Sequence, residues 1–294
     1  MEIVDTHLHF WDLGRFRYPW LDDEGVSDLR SDYLPADWAS DADGLDIVAT
    51  VHVQAEMDHD VDPVRETSWL DTLADDGPGD RVPTVCVGYA DLRDPALADV
   101  LDRHARYPLF RGIRQEAWFS PGAQHRADMP DTDLLADPAW ARGLRLLASR
   151  GLLFELMVWP DQLPRAAELL RELPDLPVIV EHMGLPGSAG GHHLWRTNLT
   201  RFAREVPWSV VKLSGMRLCA ESWTAGGARS LVQQTVETYG PSRCVFGSNY
   251  PVDRSLTSYR GLWSAFDDFT SDFTEAERRA MFHDNALRTY AITR

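Results

Sequence analysis

The sequence IVDTHLH at residues 3–9 begins with apolar residues and ends with two histidines that are two positions apart. Successive side chains of a β-strand point to opposite faces, so Asp5, His7 and His9 would share one face. A rise of ~3.3 Å per residue puts the two histidine Cα atoms about 6–7 Å apart. Both imidazoles could then contact one metal ion or one substrate oxygen. Two satisfied polar side chains at a strand end are the alternative, and the acidic neighbour on the same face favours a site.

Seven more apolar runs follow along the chain, and a helical pattern comes after each of them. The runs are too continuous for half-exposed antiparallel strands. Strict β-α alternation with a count of eight predicts an α/β protein with a (β/α)8 TIM barrel. A doubly wound sheet is the alternative, but no Gly-x-Gly-x-x-Gly follows the first strand. We find no linker and expect one domain over residues 1–294. The predicted strands cover residues 3–9, 46–53, 82–89, 110–115, 152–158, 177–182, 208–213 and 244–248.

The composition bounds the classes of partner. With 29 basic and 46 acidic residues the net charge is −17, which argues against binding to nucleic acid or to an anionic membrane. No signal peptide and no apolar run of ~20 residues is visible. Three cysteines without CxxC spacing fit a reducing cytoplasm. We expect a cytoplasmic protein with a small-molecule substrate, and the sequence leaves open whether it forms a homo-oligomer.

The carboxyl ends of the strands form the active-site face of such a barrel. By alternation we expect His7, His9, Arg114, His182 and Asn249 to converge on one mouth. Other polar residues at these ends are His52, Gln54, Glu56, Arg111, Gln115, Glu155, Glu181, Lys212, Ser214, Ser248 and Asp253.

Two basic residues at these strand ends have competing interpretations. Arg114 would bind a substrate anion, because arginine is the bidentate partner of carboxylates, although a structural ion pair is the alternative. Lys212 is the only lysine of the chain and lies in an apolar run. A buried ammonium needs a carboxylate partner, so we expect an ion pair with Asp5, Glu155 or Glu181, with a catalytic amine as the alternative.

A long aromatic-rich stretch at residues 10–33 separates the first strand from the next helix. A loop of this length inside a compact domain is usually a functional lid or a pocket wall. Trp20 lies in it and is expected to contact substrate. Together with residues at the strand ends, the predicted substrate contacts are Trp20, Gln54, Arg114 and Glu155.

Three motifs together resemble the amidohydrolase superfamily: HLH at 7–9, HMGLP at 182–186 and FGSNYPV at 246–252. The runs YPWL at 18–21, GIR at 112–114, VKLSG at 211–215 and DNA at 284–286 resemble its lactonase-rich branch, which includes 2-pyrone-4,6-dicarboxylate lactonase and sugar-lactone hydrolases. The resemblance covers the whole chain. It implies a distorted barrel of the amidohydrolase type that opens the lactone ring of a sugar acid or of an aromatic-degradation product with an activated water.

In this branch the histidines equivalent to His7, His9 and His182 contact either a divalent metal or the substrate carbonyl, and an aspartate after strand eight activates water. Here Asn249 takes the place of that aspartate, and an amide cannot accept a proton from water near neutral pH. The base would then be Asp253, His182, Glu56 or a metal-activated water, or Asn249 only orients the water.

Strand five departs from the pattern as well. Metal-dependent relatives have a histidine there, whereas this sequence offers Glu155, and strand four carries arginine rather than a modified lysine. A binuclear site is therefore not expected. The resemblance is compatible with one divalent metal ion, zinc or manganese, held by His7, His9 and His182, and also with a metal-independent enzyme.

The resemblance therefore implies a hydrolase of lactone bonds in carbohydrate or related metabolism. A metal-dependent decarboxylase or hydratase of a small aromatic or unsaturated acid is the alternative, since relatives with the same barrel carry out that chemistry. Asn249 also permits a third possibility, a catalytically silent barrel that binds a sugar acid.

Overall fold

Eight parallel strands follow one another around a single sheet, in the same order as in the sequence. This computed structural model describes residues 1–76, 81–119, 132–187, 191–219 and 225–293. The arrangement confirms the predicted (β/α)8 barrel. The strands are β1 (Ile3–Leu8), β2 (Ile47–Val53), β3 (Val85–Gly88), β4 (Phe110–Arg114), β5 (Leu153–Leu156), β6 (Val178–Val180), β7 (Val210–Leu213) and β8 (Cys244–Phe246).

Hydrogen bonds between the first and last strands bring the barrel close to closure. The Thr6 hydroxyl donates to the Phe246 carbonyl (2.9 Å), and the Ser248 amide donates to the buried Asp5 carboxylate (2.8 Å). Just beyond the strands, the Asn249 amide donates to the His7 carbonyl (2.6 Å). This seam places the end of β1 beside the end of β8 at the carboxyl face of the barrel.

The helices alternate with the strands, as the apolar periodicity predicts. Helix 138–149 shows why: Asp137 caps its first turn by accepting from the Ala139 amide, and Trp140, Leu144 and Leu147 form its buried face. The helices are α1 (Pro35–Asp41), α2 (Val64–Asp76), α3 (Leu97–His104), α4 (Pro138–Ser149), α5 (Leu163–Leu170), α6 (Gly191–Glu205), α7 (Met216–Cys219), α8 (Ala225–Tyr239), α9 (Tyr259–Phe269), α10 (Glu275–Arg279) and α11 (Asn285–Thr289). Among the described residues, no helix combines the length and the apolar character needed to cross a bilayer.

The C-terminal segment packs into the barrel's inner core. Ala286, Tyr290 and Ile292 join a buried cluster with Val4 of β1 and Val51 of β2. The Tyr290 hydroxyl donates to Glu155 Oε1 at 2.8 Å. This end of the chain therefore supports, from below, the polar groups at the ends of the strands.

Candidate active site

A cavity of about 140 Å³ opens at the carboxyl ends of the strands. His7, His9, Arg114, His182 and Asn249 all line it, so the structure brings together the five side chains that alternation placed at one mouth. Much of the remaining wall is apolar. That part of the wall includes Trp20, Val26, Trp118, Met157, Leu218 and Val252.

The predicted lid at residues 10–33 contributes directly to this wall. Trp20 lies in a short 3₁₀ turn (Pro19–Asp22) and donates its indole N–H to the Ala55 carbonyl at 2.8 Å. Arg217 of α7 donates to the Gly25 carbonyl at 2.7 Å and so links the lid to the opposite side of the cavity. Arg217 was not predicted, because the short helix that carries it begins just after the VKLSG run at 211–215 and lies outside the predicted strand.

Three cavity residues have a left-handed backbone: Glu56 (φ 54°), His182 (φ 51°) and Asn249 (φ 54°). This conformation costs an ordinary residue about 1–3 kcal/mol, and asparagine adopts it most readily. It also explains why β6 and β8 end earlier than predicted, because the chain leaves the extended geometry where it reaches the cavity.

His9 presents a lone pair to the cavity. Its Nδ1–H donates to the Val53 carbonyl at 2.7 Å, which leaves Nε2 without a proton in the neutral ring. That Nε2 lies 3.2 Å from Nε2 of His7 and 3.4 Å from Oδ1 of Asn249. Burial, with a smaller contribution from the charge of Arg114, lowers the pKa of His9 to about 3, so the ring is neutral at physiological pH.

Asn249 is held by a carboxylate behind it. Its Nδ2 donates to Asp253 Oδ1 at 3.0 Å, which turns Oδ1 of the amide towards His9. Asp253 also accepts from the Met216 amide at 2.7 Å, and burial raises its pKa to about 7. Asp253 does not line the cavity, so the residue predicted as a base lies one side chain behind it.

His182 contacts the cavity from the side of β6. Its Nδ1 lies 2.9 Å from the Ser214 hydroxyl, and its ring centroid lies 4.7 Å from that of His7. Gly215, which follows Ser214 in the chain, has φ +67°. A Cβ on Gly215 would lie 2.4 Å from the His182 ring. Only glycine allows this close approach. Burial, together with the charge of Lys212, lowers the pKa of His182 well below its usual value.

His7 rests on an ion pair inside the barrel. Lys212 Nζ lies 3.1 Å from His7 Nδ1 and donates to Glu155 Oε2 at 2.5 Å. The predicted ion pair of Lys212 is thus confirmed, with Glu155 as its partner. Glu155 was also predicted to contact substrate, but it is fully buried below the cavity and does not line it.

Arg114 already has carboxylate partners. Its guanidinium contacts Glu116 and lies 3.5 Å from Glu56, and it donates to the Gln54 carbonyl at 2.6 Å. Burial alone would lower its pKa, but the charges of Glu116 and its acidic neighbours raise it. Gln54 donates to Glu56 at 2.5 Å and lies behind the cavity wall. Its predicted substrate contact remains a prediction.

Glu116 was not among the predicted site residues. It lies two positions after Arg114, so continued alternation would place both side chains on the same face. The predicted strand ends at residue 115, one position too early to include it. Its contact with Arg114 determines whether the guanidinium is open to a substrate anion.

Two groups of side chains could hold a metal ion. In the described part of the chain, the group of three whose ligand atoms lie within 4.8 Å of one another is His7, Glu155 and Glu181. The Lys212 ammonium contacts two of these three residues, so this inner position already holds a cation. The other group faces the cavity, where the Nε2 atoms of His7 and His9 are 3.2 Å apart.

The cavity-facing group fits one divalent ion. Zinc–nitrogen bonds of about 2.0–2.1 Å in a tetrahedral site put two nitrogens about 3.3 Å apart. The 3.2 Å between Nε2 of His7 and Nε2 of His9 matches this, and Oδ1 of Asn249 adds an oxygen donor 3.4 Å from the second nitrogen. Neutral imidazoles are the form that binds metal.

Replacing Asn249 with aspartate is expected to destabilise the protein by about 1–3 kcal/mol at pH 8. The new carboxylate would face Asp253 across the present 3.0 Å contact, and two buried like charges cannot share it. At pH 5 the loss is expected to be smaller, because the Asp253 pKa of about 7 allows a proton to occupy the contact. Urea unfolding at both pH values measures the difference.

The double variant Asn249→Asp/Asp253→Asn is the matched control for this prediction. It exchanges donor and acceptor across the same contact and should recover at least half of the stability lost at pH 8. Equal stability of the single variant and the wild-type protein at pH 8 would contradict the described contact between Asn249 and Asp253.

Comparison with known proteins places this geometry in a family. A family model described as amidohydrolase matches residues 4–292. An uncharacterised protein of Sinorhizobium fredii is 36% identical over 300 residues, which cover 99% of this chain and 98% of that protein. L-fucono-1,5-lactonase of Burkholderia multivorans is 30% identical over 303 residues, which cover 98% of this chain and 96% of that enzyme.

A solved structure agrees over the same length. The crystal structure of an amidohydrolase from Burkholderia multivorans with bound zinc superimposes with a TM-score of 0.82 and 27% identity, and covers 100% of both chains. These findings confirm the resemblance carried by the three motifs. The eight-stranded barrel, with its histidines at the mouth, belongs to the amidohydrolase family.

Proposed function

We propose that the protein is a lactonase that opens the ring of a small sugar lactone by adding water. The observation that carries this proposal is the pair of acceptor atoms at the cavity floor, His9 Nε2 and Asn249 Oδ1, which lie 3.4 Å apart beside His7. Similarity over nearly the whole chain to L-fucono-1,5-lactonase supports the class of substrate.

The two acceptors match the two O–H groups of one water molecule. A water that donates to both His9 Nε2 and Asn249 Oδ1 directs its own lone pair away from them, towards a bound carbonyl carbon. Asn249 cannot take a proton, whereas His9 Nε2 can. The proton of the attacking water therefore passes to His9, and Asn249 only orients the water.

Ring opening then needs charge stabilisation and a returned proton. As the water oxygen bonds to the carbonyl carbon, the carbonyl oxygen gains charge beside His7 and His182, whose ring N–H groups can stabilise it. The bond between that carbon and the ring oxygen breaks. The ring oxygen takes the proton held by His9, which gives an open-chain hydroxy acid and restores the neutral imidazole.

The same cavity-facing nitrogens of His7 and His9, with His182 beside them, would alternatively hold one divalent metal ion, zinc or manganese. A bound ion would take the place of these hydrogen bonds, and it would supply polarisation of the carbonyl and a lowered pKa for the attacking water. The zinc in the similar Burkholderia multivorans structure supports this choice.

The cavity wall favours a neutral lactone over one that carries a carboxylate. The charge of Arg114 is already matched by Glu116 and Glu56, so a substrate carboxylate would have to displace one of them. Carboxylate oxygens accept hydrogen bonds from sugar hydroxyls, and Trp20 and Trp118 offer flat apolar surface to the ring. We therefore propose a polyhydroxylated sugar lactone as the substrate.

The test is a panel of γ- and δ-lactones of sugar acids, with a dicarboxylated lactone as a charged comparison. Acid release is followed by a pH indicator, before and after chelation, and metal content is measured by mass spectrometry. We expect turnover of neutral sugar lactones. Turnover that survives chelation would assign the proton transfer to His9, whereas about one metal ion per chain and loss of activity on chelation would assign His7 and His9 as metal ligands. Turnover confined to the charged lactone, or release of carbon dioxide from an aromatic acid, would overturn the proposal.

A further inference from the structure

Lys212 touches the active site from behind. It is fully buried, and it is the only lysine of the chain. Its Nζ contacts Glu155 Oε2 at 2.5 Å and His7 Nδ1 at 3.1 Å, and lies 5.6 Å from the centre of the Tyr290 ring. Lys212 does not line the cavity, so it acts on a substrate only through a neighbour.

The contact with His7 has a direction. An ammonium group has three donors and no acceptor, so Lys212 donates and His7 Nδ1 accepts. The proton of the neutral His7 ring must then be on Nε2. The competing partner of Nδ1 is Glu181 Oε1, which lies 3.6 Å away, beyond hydrogen-bond distance.

The other end of the His7 ring requires the same assignment. His7 Nε2 faces His9 Nε2 at 3.2 Å, and His9 Nε2 is an acceptor because its Nδ1–H donates to Val53. Donors and acceptors therefore alternate without conflict from Lys212 through His7 and His9 to the Val53 carbonyl. With the proton of His7 on Nδ1 instead, the first two contacts of this chain would both fail.

We propose that Lys212 is a positioning residue that fixes the proton of His7 on Nε2, so that His7 meets the substrate as a hydrogen-bond donor. The proposal rests on the lactonase function proposed above, in which the carbonyl oxygen replaces His9 Nε2 as the acceptor. It also defines what metal binding requires of His7, because Nε2 can bind a cation only after its proton has left.

The tautomer of His7 can be measured without any turnover. Metal-free protein containing ¹⁵N-labelled histidine is examined by NMR, because protonated and unprotonated ring nitrogens differ widely in chemical shift. The His7→Gln variant identifies the His7 signals by their loss. We expect the proton on Nε2 and a bare Nδ1 in the wild-type protein. A proton on Nδ1 overturns the proposal, whether or not the protein hydrolyses lactones.

A pair of variants separates this role from a merely structural one. Lys212→Met/Glu155→Gln removes the donor without leaving a buried carboxylate unpaired, and should move the His7 proton to Nδ1, towards Glu181. Tyr290→Phe removes the other hydrogen bond of Glu155 but leaves Lys212 beside His7, and should keep the wild-type tautomer. An unchanged tautomer in the folded double variant overturns the proposal.

Two further readouts should follow the tautomer. The double variant should bind zinc more tightly in competition with a chromophoric chelator, because the Nε2 lone pair is free and a nearby positive charge is gone. Its kcat should fall about 10²-fold with little change in KM, as expected for an interaction made in the transition state. The wild-type spectrum decides the proposal by itself if the double variant does not fold.

Discussion

Replacing His9 with alanine should lower kcat/KM for the best sugar lactone by about 10²–10⁴-fold, the usual contribution of a positioned acid-base group. The change removes the Nε2 acceptor that faces His7 and Asn249 across the cavity floor. Water can still enter the cavity, but it is no longer oriented and has no group to take its proton. Steady-state kinetics on the sugar-lactone panel measure the effect.

The exposed histidine of helix α6, His193, provides the control. It does not line the cavity, so His193→Ala should retain wild-type kinetics. Circular dichroism and the unfolding midpoint establish that both variants are folded. A folded His9→Ala protein with turnover within threefold of the wild type would exclude His9 as the proton acceptor.

The free energy of unfolding of the metal-free protein should fall as the pH drops below 6.5. Burial lowers the pKa values of His7, His9 and His182. At mildly acidic pH the unfolded chain therefore binds more protons than the folded protein. Stability from such groups is present above the unfolded pKa and is lost as the pH falls towards the folded one. For His9, whose pKa falls from 6.5 to about 3, the loss between pH 6.5 and pH 5 is about 2 kcal/mol.

Asp253 acts in the opposite direction over part of this range. Its folded pKa of about 7 exceeds the ordinary value of 3.8. The contribution of Asp253 to the free energy of unfolding is therefore fully present below pH 3.8 and is lost as the pH rises towards 7. Between pH 6.5 and pH 5, protonation of Asp253 therefore raises the free energy of unfolding by about 2 kcal/mol, which offsets the loss caused by one histidine. Burial also raises the pKa values of Asp5 and Glu181, which act in the same direction as Asp253, and lowers the pKa of His104 to about 4. The four histidines with lowered pKa values outnumber these three carboxylates, so the expected net effect of acid is destabilising.

Urea unfolding between pH 5 and pH 7.5 measures this balance. The His9→Gln variant should show a shallower dependence, because one buried group that resists protonation is gone. Parallel curves for the two proteins would mean that His9 has the same pKa in the folded and unfolded states.

Saturating zinc should raise the free energy of unfolding most near neutral pH, where protons do not compete with zinc for the imidazole nitrogens.

Strand periodicity was sufficient to predict the frame of the site. The strand count follows from the number of apolar runs, and the convergence of His7 and His9 follows from alternation. Asn249 lies beyond the end of β8 with a left-handed backbone, so its place at the cavity follows from the carboxyl-end rule alone. Both rules depend only on local geometry that every parallel barrel shares. They predict which side chains the strand ends contribute to the cavity, but not Val26, Arg217 or Leu218, which reach it from the lid and from α7.

The partners of these residues could not be predicted in the same way. Asp253 was expected in the cavity, but the left-handed backbone at Asn249 begins a turn that places it behind the amide. Glu155 was expected to contact substrate, but Lys212 and Tyr290 hold it from other parts of the chain. The pattern of one strand does not show which side chains from distant segments will form hydrogen bonds to its residues.

The seam between the first and last strands has a consequence for synthesis of the protein. The hydrogen bond between Asp5 and the Ser248 amide joins residues 243 positions apart, and Thr6 likewise pairs with Phe246. Neither bond can form until the later residue has been synthesised. A nascent chain folds from its N-terminus as it leaves the ribosome, and such distant pairings form late. The histidines of β1 therefore emerge first but gain Asn249 last, so a chain truncated before this residue lacks half of the water-binding pair.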